Sequence, residues 1–107
     1  MKEKIECSVA IQVLPLPLLP PGDAESTKVI AIVDEVISYI RSMGLKMKVG
    51  PFETTVEGDF DTLMSMVKEC QLICIRAGAP MVMSYVKISY APDGLWGIKE
   101  KTAKHEA

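Results

Sequence analysis

The spacing of the apolar residues constrains the fold most strongly, because it changes between the period of a strand and that of a helix. Over residues 5–13 apolar residues alternate with polar or small ones, which is typical of a half-buried β-strand. Candidate helix caps follow at Ser26 and Thr27. From residue 29 to 43 apolar residues recur every three or four positions, which predicts an amphipathic helix ending near Gly44.

The second half of the chain repeats this succession of periods. Residues 45–49 and 52–57 alternate as two short strands, separated by a Gly-Pro break that predicts a hairpin. Residues 60–77 have the apolar spacing of a second helix, and residues 81–90 alternate again as a last strand. The chain is therefore expected to form six elements in the order βαββαβ.

This order within about 90 residues predicts an α+β ferredoxin-like sandwich, a four-stranded antiparallel sheet with two helices on one face. The first and third strands are expected to be the central pair. We expect residues 1–107 to form a single domain with its core at about 4–90, a proline-rich loop at 14–22 and a polar extension at 91–107.

Strand alternation also predicts which side chains share each face of the sheet. The face covered by the helices is expected to hold Ile5, Cys7, Val9, Ile11, Val13, Phe52, Val56, Val82, Val86 and Ile88. The open face is expected to hold Ser8, Ala10, Gln12, Thr55, Glu57, Met83, Tyr85 and Lys87. Apolar groups beside hydrogen-bonding groups and a carboxylate indicate a binding site or an interface. The alternative is a solvated sheet with a surface Glu57–Lys87 ion pair of small energetic consequence.

Residues 52–61 hold the densest polar chemistry and a junction between a strand and a helix. Glu57 supplies a carboxylate near the end of the strand, and Gly58 permits a sharp turn. Asp59 or Asp61 is a candidate cap for the second helix. The predicted open-face site therefore depends most on this stretch.

Composition excludes several classes of function. A net charge of -2 and a pI near 5.4 give no basic surface for nucleic acid. Cys7, Cys70 and Cys74 lie within apolar patterns, as expected of small buried residues in a reducing compartment. The single histidine, His105, stands in a polar tail, so we expect no metal site. With no secretory signal or membrane-spanning run, we expect a cytoplasmic protein.

The common catalytic arrangements are missing as well. A serine or cysteine nucleophile would need a base, and His105 lies outside the folded pattern. Paired carboxylates at glycosidase spacing and phosphate-binding glycine loops are not predicted. Binding without chemistry is what remains. A carboxylate flanked by hydroxyls and an amide can hold an amino-heterocycle or a cation, with Met83 and Tyr85 as an apolar flank.

The segment Thr54-Thr55-Val56-Glu57-Gly58-Asp59-Phe60-Asp61, with the proline-glycine loop, Ser26-Thr27 and Gly44-Leu45, resembles the small ferredoxin-like thiamine-binding proteins. The likeness covers roughly residues 5–90, and the segment from Thr54 is its most specific part. The resemblance implies a cytosolic homo-oligomer, with a tetramer expected, that binds thiamine or its hydroxymethylpyrimidine moiety near the sheet and the subunit contacts. It implies no catalysis and no cofactor.

The resemblance carries Thr55 and Glu57 over as the hydroxyl and carboxylate of the site, and Ser26 and Thr27 as the hydroxyl-rich start of the first helix. Glu57 is expected to accept hydrogen bonds from the aminopyrimidine. The full set of predicted ligand-binding residues is Gln12, Ser26, Thr27, Thr55, Glu57, Tyr85 and Lys87. The alternative hypothesis is a structural or regulatory homo-oligomer whose open sheet face is only a subunit interface.

Overall fold

The four-stranded sheet and its two helices are seen in a computed structural model that describes residues 5–16, 24–95 and 98, with the side chains of 16 and 24–27 outside the description. The elements are β1 (Ile5–Leu16), α1 (Ala24–Ser42), β2 (Met47–Val49), β3 (Thr54–Gly58), α2 (Phe60–Arg76) and β4 (Met81–Leu95). The sheet is antiparallel with the strand order β2-β3-β1-β4. The predicted α+β ferredoxin-like arrangement, with β1 and β3 as the central strands, is confirmed.

The core lies between the sheet and the two helices. Buried apolar side chains come from β1, β3, α1 and α2, and include Val9, Val56, Ile40, Leu63 and Met66. Because alternate residues of a strand point to the same face, every second residue of β1 from Cys7 to Val13 enters this core. Burial of these apolar surfaces is the main term that stabilises the fold.

β1 is longer than the alternation predicts, because it continues through a proline. Pro15 pairs with Val82 in β4 and is fully buried. A proline has no backbone N–H to donate, so it is tolerated only where one edge of a strand is unpaired. β1 pairs with β3 only from Cys7 to Ile11, which leaves that edge unpaired at Pro15. The part of the predicted 14–22 loop at Leu14–Leu16 is therefore strand.

The first turn of α2 is held by hydrogen bonds to side chains before the helix and on β1. The Asp59 carboxylate accepts hydrogen bonds from the Thr62 backbone N–H at 3.0 Å and from the Thr62 hydroxyl at 2.6 Å. Glu6, on β1, accepts a hydrogen bond from the Phe60 N–H at 3.1 Å. These bonds satisfy helix donors that would otherwise lack partners. Asp59 is thus the cap, whereas α1 begins at Ala24 and holds Ser26 and Thr27 inside its first turn.

The prediction that Phe52 belongs to the core is wrong, since its side chain is 78% exposed. β3 begins only at Thr54, and the Gly50 N–H donates to the Glu53 carbonyl at 2.8 Å in the turn before it. A Cβ at Gly50 would lie 3.0 Å from that carbonyl oxygen, which explains the glycine there. Phe52 therefore lies in the turn, where the alternation of side chains along a strand does not apply.

β4 is an edge strand that extends past its predicted end at Tyr90 to Leu95. The register shifts between Cys7, which pairs with Tyr90, and Ile5, which pairs with Leu95. Val82 and Val86 pack against the core as predicted, but Ile88 is about half exposed. Large apolar side chains on β4 remain exposed, namely Met81, Met83, Tyr85, Ile88 and Tyr90.

Candidate functional site on the open face of the sheet

Strand register brings the predicted open-face residues into rows across the sheet. In one row Ser8 of β1 lies between Glu57 of β3 and Ser89 of β4. In the next, Ala10 lies between Thr55 and Lys87, and in a third Gln12 lies beside Tyr85. Because these positions alternate with the buried core residues, all of them are on the face opposite α1 and α2. The five strand residues predicted to bind a ligand are thus on one surface.

Glu57 is nearly inaccessible to solvent although it lies on the open face. Its side chain is 4% exposed, and its neighbour Ser8 is also buried. The Glu57 carboxylate accepts a hydrogen bond from the backbone N–H of Ile98, which lies beyond the end of β4. A carboxylate has two oxygens and about four acceptor positions, so one such bond leaves capacity for further donors. Glu57 is therefore a covered acceptor, not a solvated surface charge.

Lys87 does not pair with Glu57, which corrects the surface pair considered from the sequence. Its ammonium lies 3.5 Å from the carboxylate of Glu53, the residue just before β3. This contact spans β1 at the row in which the small Ala10 lies opposite Lys87. Both side chains are substantially exposed, so the pair contributes little to stability. The Lys87 ammonium thus contacts Glu53, so the Glu57 carboxylate accepts hydrogen bonds from other groups.

The remaining predicted site residues lie in different parts of the structure. Gln12 and Thr55 are partly buried beside the Glu57 row, and Tyr85 is 59% exposed toward the open side. Ser26 and Thr27 belong to α1, in the helical layer, and their side chains lie outside the described part of the chain. The roles of these residues toward a ligand stay predictions.

Sequence alternation missed three contributors to this surface. Lys48 of β2 pairs with Thr55 and adds a second ammonium on the same row as Lys87. Glu53 lies just before β3 and is the partner of Lys87, which the alternation of the strands does not predict. Ile98 contributes through its backbone N–H, for which no side-chain pattern gives a signal. Lys48 could have been found from the alternation of residues 45–49.

A cavity of about 320 Å³ lies on the other side of the sheet, between α1 and the β2–β3 turn. Its wall is mostly apolar and includes Val33, Val36, Ile37 and Ile40, with Glu53 at the turn. This volume is in the range of small-ligand sites. Glu57 does not line it, and the one carboxylate that does is already paired with Lys87. Glu57 therefore lies outside this cavity, whereas Gln12, another predicted site residue, is among the residues that line it.

The three cysteines take no part in the open face. Cys7, Cys70 and Cys74 are fully buried in the core, as predicted, and none forms a disulfide. Burial raises the pKa of Cys70 to about 12, with the nearby Cys74 adding to the shift. Burial likewise raises the pKa of Cys7 and Cys74. These thiols are protonated at neutral pH and are poor nucleophiles.

Neither a metal-ligand cluster nor a membrane-spanning helix is found within residues 5–16, 24–95 and 98. No three histidine, cysteine, aspartate or glutamate side chains there come together as a metal site would require. Neither α1 nor α2 is long and apolar enough to cross a membrane.

The fold and this polar open face define a class of small α+β domains, and comparison with known proteins identifies the family. The model of the family described as "Thiamine-binding protein" matches residues 9–106. The chain belongs to this family.

Relatives and solved structures agree with this assignment. The UPF0045 protein CPE1503 of Clostridium perfringens is 43% identical over 99 residues, covering 92% of this chain and 96% of the relative. A DUF77 domain of unknown function from Bacillus cereus has a TM-score of 0.79 at 32% identity, covering 96% of this chain and 92% of its own. The Thermotoga maritima protein TM0486, provisionally assigned to thiamine biosynthesis or salvage, has a TM-score of 0.78 at 32% identity, with 94% and 99% covered.

Proposed function

We propose that this protein binds thiamine or its hydroxymethylpyrimidine moiety on the open face of the sheet, without catalysing a reaction on it. The observation that carries the proposal is the burial of the Glu57 carboxylate on a face that otherwise faces solvent. The family assignment and the Thermotoga maritima relative support a thiamine-related role. Thiamine is the ligand in this account, and no cofactor is required.

The aminopyrimidine is recognised by hydrogen bonding to a charged acceptor. Its amino group donates to Glu57, the Thr55 hydroxyl in the next row orients the ring, and the Gln12 amide lies one row further along the sheet. Tyr85 supplies an aromatic surface beside Gln12. Hydrogen bonds to an ionised acceptor are about twice as strong as those between neutral groups. A neutral, non-donor ring would gain none of this stabilisation.

A non-catalytic role fits the side chains that are present. The described open face has carboxylates, hydroxyls and ammonium groups but no histidine, and the thiols are buried with raised pKa values. Covalent activation of a substrate would need a nucleophile paired with a base. Storage, delivery or sensing of the ligand in the cytoplasm is the role that we propose.

We further propose that the protein is a homo-oligomer, with the tetramer as its expected form. The outer edge of β4 is long and carries five exposed apolar side chains from Met81 to Tyr90. Such an edge tends to pair with another strand, and a second copy of β4 is a self-complementary partner. Size-exclusion chromatography with light scattering measures the mass directly. A monomer of 11.7 kDa at micromolar concentration would contradict this part of the proposal.

Titration calorimetry with thiamine and with hydroxymethylpyrimidine tests the binding proposal. We expect saturable heat from at least one of them. The absence of heat up to about 1 mM, where binding is worth only about 4 kcal/mol, would contradict the proposal.

A matched pair of variants locates the site. Glu57→Gln removes the charge from the open face, whereas Ile37→Phe narrows the cavity on the helical side. We expect Glu57→Gln to weaken binding and Ile37→Phe to leave it unchanged. If Ile37→Phe weakened binding and Glu57→Gln did not, the ligand would bind in that cavity and not on the open face.

A purely structural or regulatory oligomer is the second candidate function, and the exposed apolar edge of β4 favours it. The two candidates differ in what Glu57 does. If the open face is only an interface, Glu57→Gln disturbs assembly. If the face is a ligand site, the variant keeps the mass of the wild type and loses binding. Light scattering and calorimetry on the same samples separate these outcomes.

A further inference from the structure

The two ends of the open face are covered to very different extents. At one end, Ser8 and Glu57 are 8% and 4% exposed. At the other, Met83 and Tyr85 are 43% and 59% exposed. Met83 and Tyr85 are on the edge strand β4, but the contrast persists within the central strands, where Gln12 and Thr55 on the same face are less buried than Ser8 and Glu57. The Glu57 end of the central strands is therefore the better covered part of the open face.

The described contact at that end comes from the protein itself. β4 ends at Leu95, which pairs with Ile5 on β1, and Glu57 lies on β3, at the far side of β1. The backbone N–H of Ile98, three residues after Leu95, donates to the Glu57 carboxylate. The Ile98 N–H is therefore a donor on the acceptor of the proposed site.

We propose that the Ile98 backbone N–H occupies, in the ligand-free protein, the Glu57 acceptor that the amino group of the ligand uses. This inference rests on the function proposed above and adds the regulation of the same site. An amide N–H and the N–H of an aminopyrimidine are the same kind of donor to a carboxylate oxygen. The ligand binds by exchange: its amino group takes the place of the Ile98 N–H, and the Ile98 contact opens.

Competition of this kind lowers the apparent affinity without changing the bound state. When the binding-competent form is only a fraction of the protein, the apparent dissociation constant rises in inverse proportion to that fraction. A hydrogen bond to a carboxylate is strong enough to keep the open form at roughly one tenth or less of the molecules. The contact thus raises the ligand concentration at which half of the protein is occupied.

Removal of a single N–H tests the competition. Ile98→Pro deletes the donor because proline has no backbone N–H, while Ile98→Ala keeps the N–H and shortens the side chain as the matched control. Titration calorimetry of the full chain with thiamine is expected to show roughly tenfold tighter binding for Ile98→Pro than for the wild type. Ile98→Ala is expected to bind like the wild type. Circular dichroism first establishes that each variant is folded.

Hydrogen exchange on the unaltered protein gives an independent measurement. In a 15N-labelled sample the Ile98 amide is expected to be protected without ligand and to exchange faster when thiamine saturates the site. Equal or weaker binding by Ile98→Pro would overturn the inference, as would an Ile98 amide that stays protected in the complex. If neither the wild type nor any variant binds thiamine or hydroxymethylpyrimidine, the proposed function fails and the inference with it. Wild-type binding with no gain in Ile98→Pro overturns the inference alone.

Discussion

Val56 and Glu57 are consecutive residues of β3, and both are almost inaccessible to solvent, at 0% and 4% exposure. Val56 points into the core, where it packs among apolar side chains of β1 and the helices. Glu57 points to the open face and is covered by a polar contact with Ile98. Equal burial therefore has different origins on the two faces of one strand.

The burial of Val56 serves the stability of the fold, whereas the burial of Glu57 is connected with the proposed binding function. Val56 is buried by the hydrophobic effect, which needs no specific partner. A buried carboxylate, by contrast, loses hydration and needs donors to replace it. The protein carries that cost at Glu57 on the face opposite α1 and α2, where a ligand can supply donors. Substitutions at the two residues should accordingly change different measured quantities.

The largest expected effect is on the core face. Val56→Glu places an unpaired charge in the core and should lower the free energy of unfolding by about 3 to 5 kcal/mol. Urea unfolding measures the loss. As a control, Lys48→Glu puts the same side chain on an exposed strand position and should change stability by less than about 0.5 kcal/mol. Equal losses in the two variants would mean that the faces do not differ as described.

On the open face, Glu57→Gln keeps the shape of the side chain and its ability to accept the Ile98 N–H. We expect thiamine binding to weaken by roughly 1 kcal/mol or more, which is less than the about 1.5 to 3 kcal/mol of a hydrogen bond to a charged group, because the competing Ile98 contact weakens as well. Unfolding by urea should change far less than in Val56→Glu. Calorimetry and unfolding on the same protein show whether binding and stability separate. A variant that loses stability instead of binding would make Glu57 a structural residue.

The junction after Glu57 gives a smaller effect that depends on pH. Hydrogen bonds from Thr62 lower the pKa of Asp59 below its usual value of 3.8. The folded state therefore favours the ionised form, so the cap is fully effective above that usual value and is lost as the pH falls through the lowered pKa. Asp59→Asn keeps a capping side chain without a charge. Thermal unfolding of the wild type should fall more steeply between about pH 4 and pH 2 than that of Asp59→Asn. Parallel curves would contradict this role of the charge.

The smallest effect is expected at the exposed ion pair of Lys87 and Glu53. Lys87→Met should change the free energy of unfolding by less than about 1 kcal/mol, because exposed pairs are screened by water and salt. The double variant with Glu53→Gln gives the coupling between the two residues. A coupling well above 1 kcal/mol would show that the open face is more enclosed than its exposure indicates.

Much of this fold could be predicted from the sequence because alternation and helical spacing report burial directly. The period of two placed Val56 and Glu57 on opposite faces, as the register confirms. It failed for Phe52, because the rule holds only inside a strand and β3 begins two residues later. Pro15 was assigned to a loop because its effect depends on whether β3 pairs beside it, which is a tertiary property.

The site was less predictable than the fold. Strand alternation places Glu57 and Lys87 on one face and so suggests that they pair, whereas the partner of Lys87 is Glu53, which reaches it across the small Ala10 of β1. The cover on Glu57 is a backbone group forty-one residues away, and backbone N–H groups are identical along the chain. Contacts of this type follow from the folded path of the chain.

The central claim is that Glu57 accepts a hydrogen bond from the amino group of thiamine. The most direct test is calorimetry of the wild type and Glu57→Gln with thiamine and with an analogue whose pyrimidine carries an oxo group in place of the amino group. We predict that the wild type prefers thiamine by roughly tenfold or more and that Glu57→Gln loses most of this preference. Equal affinity of the wild type for both compounds would contradict the account.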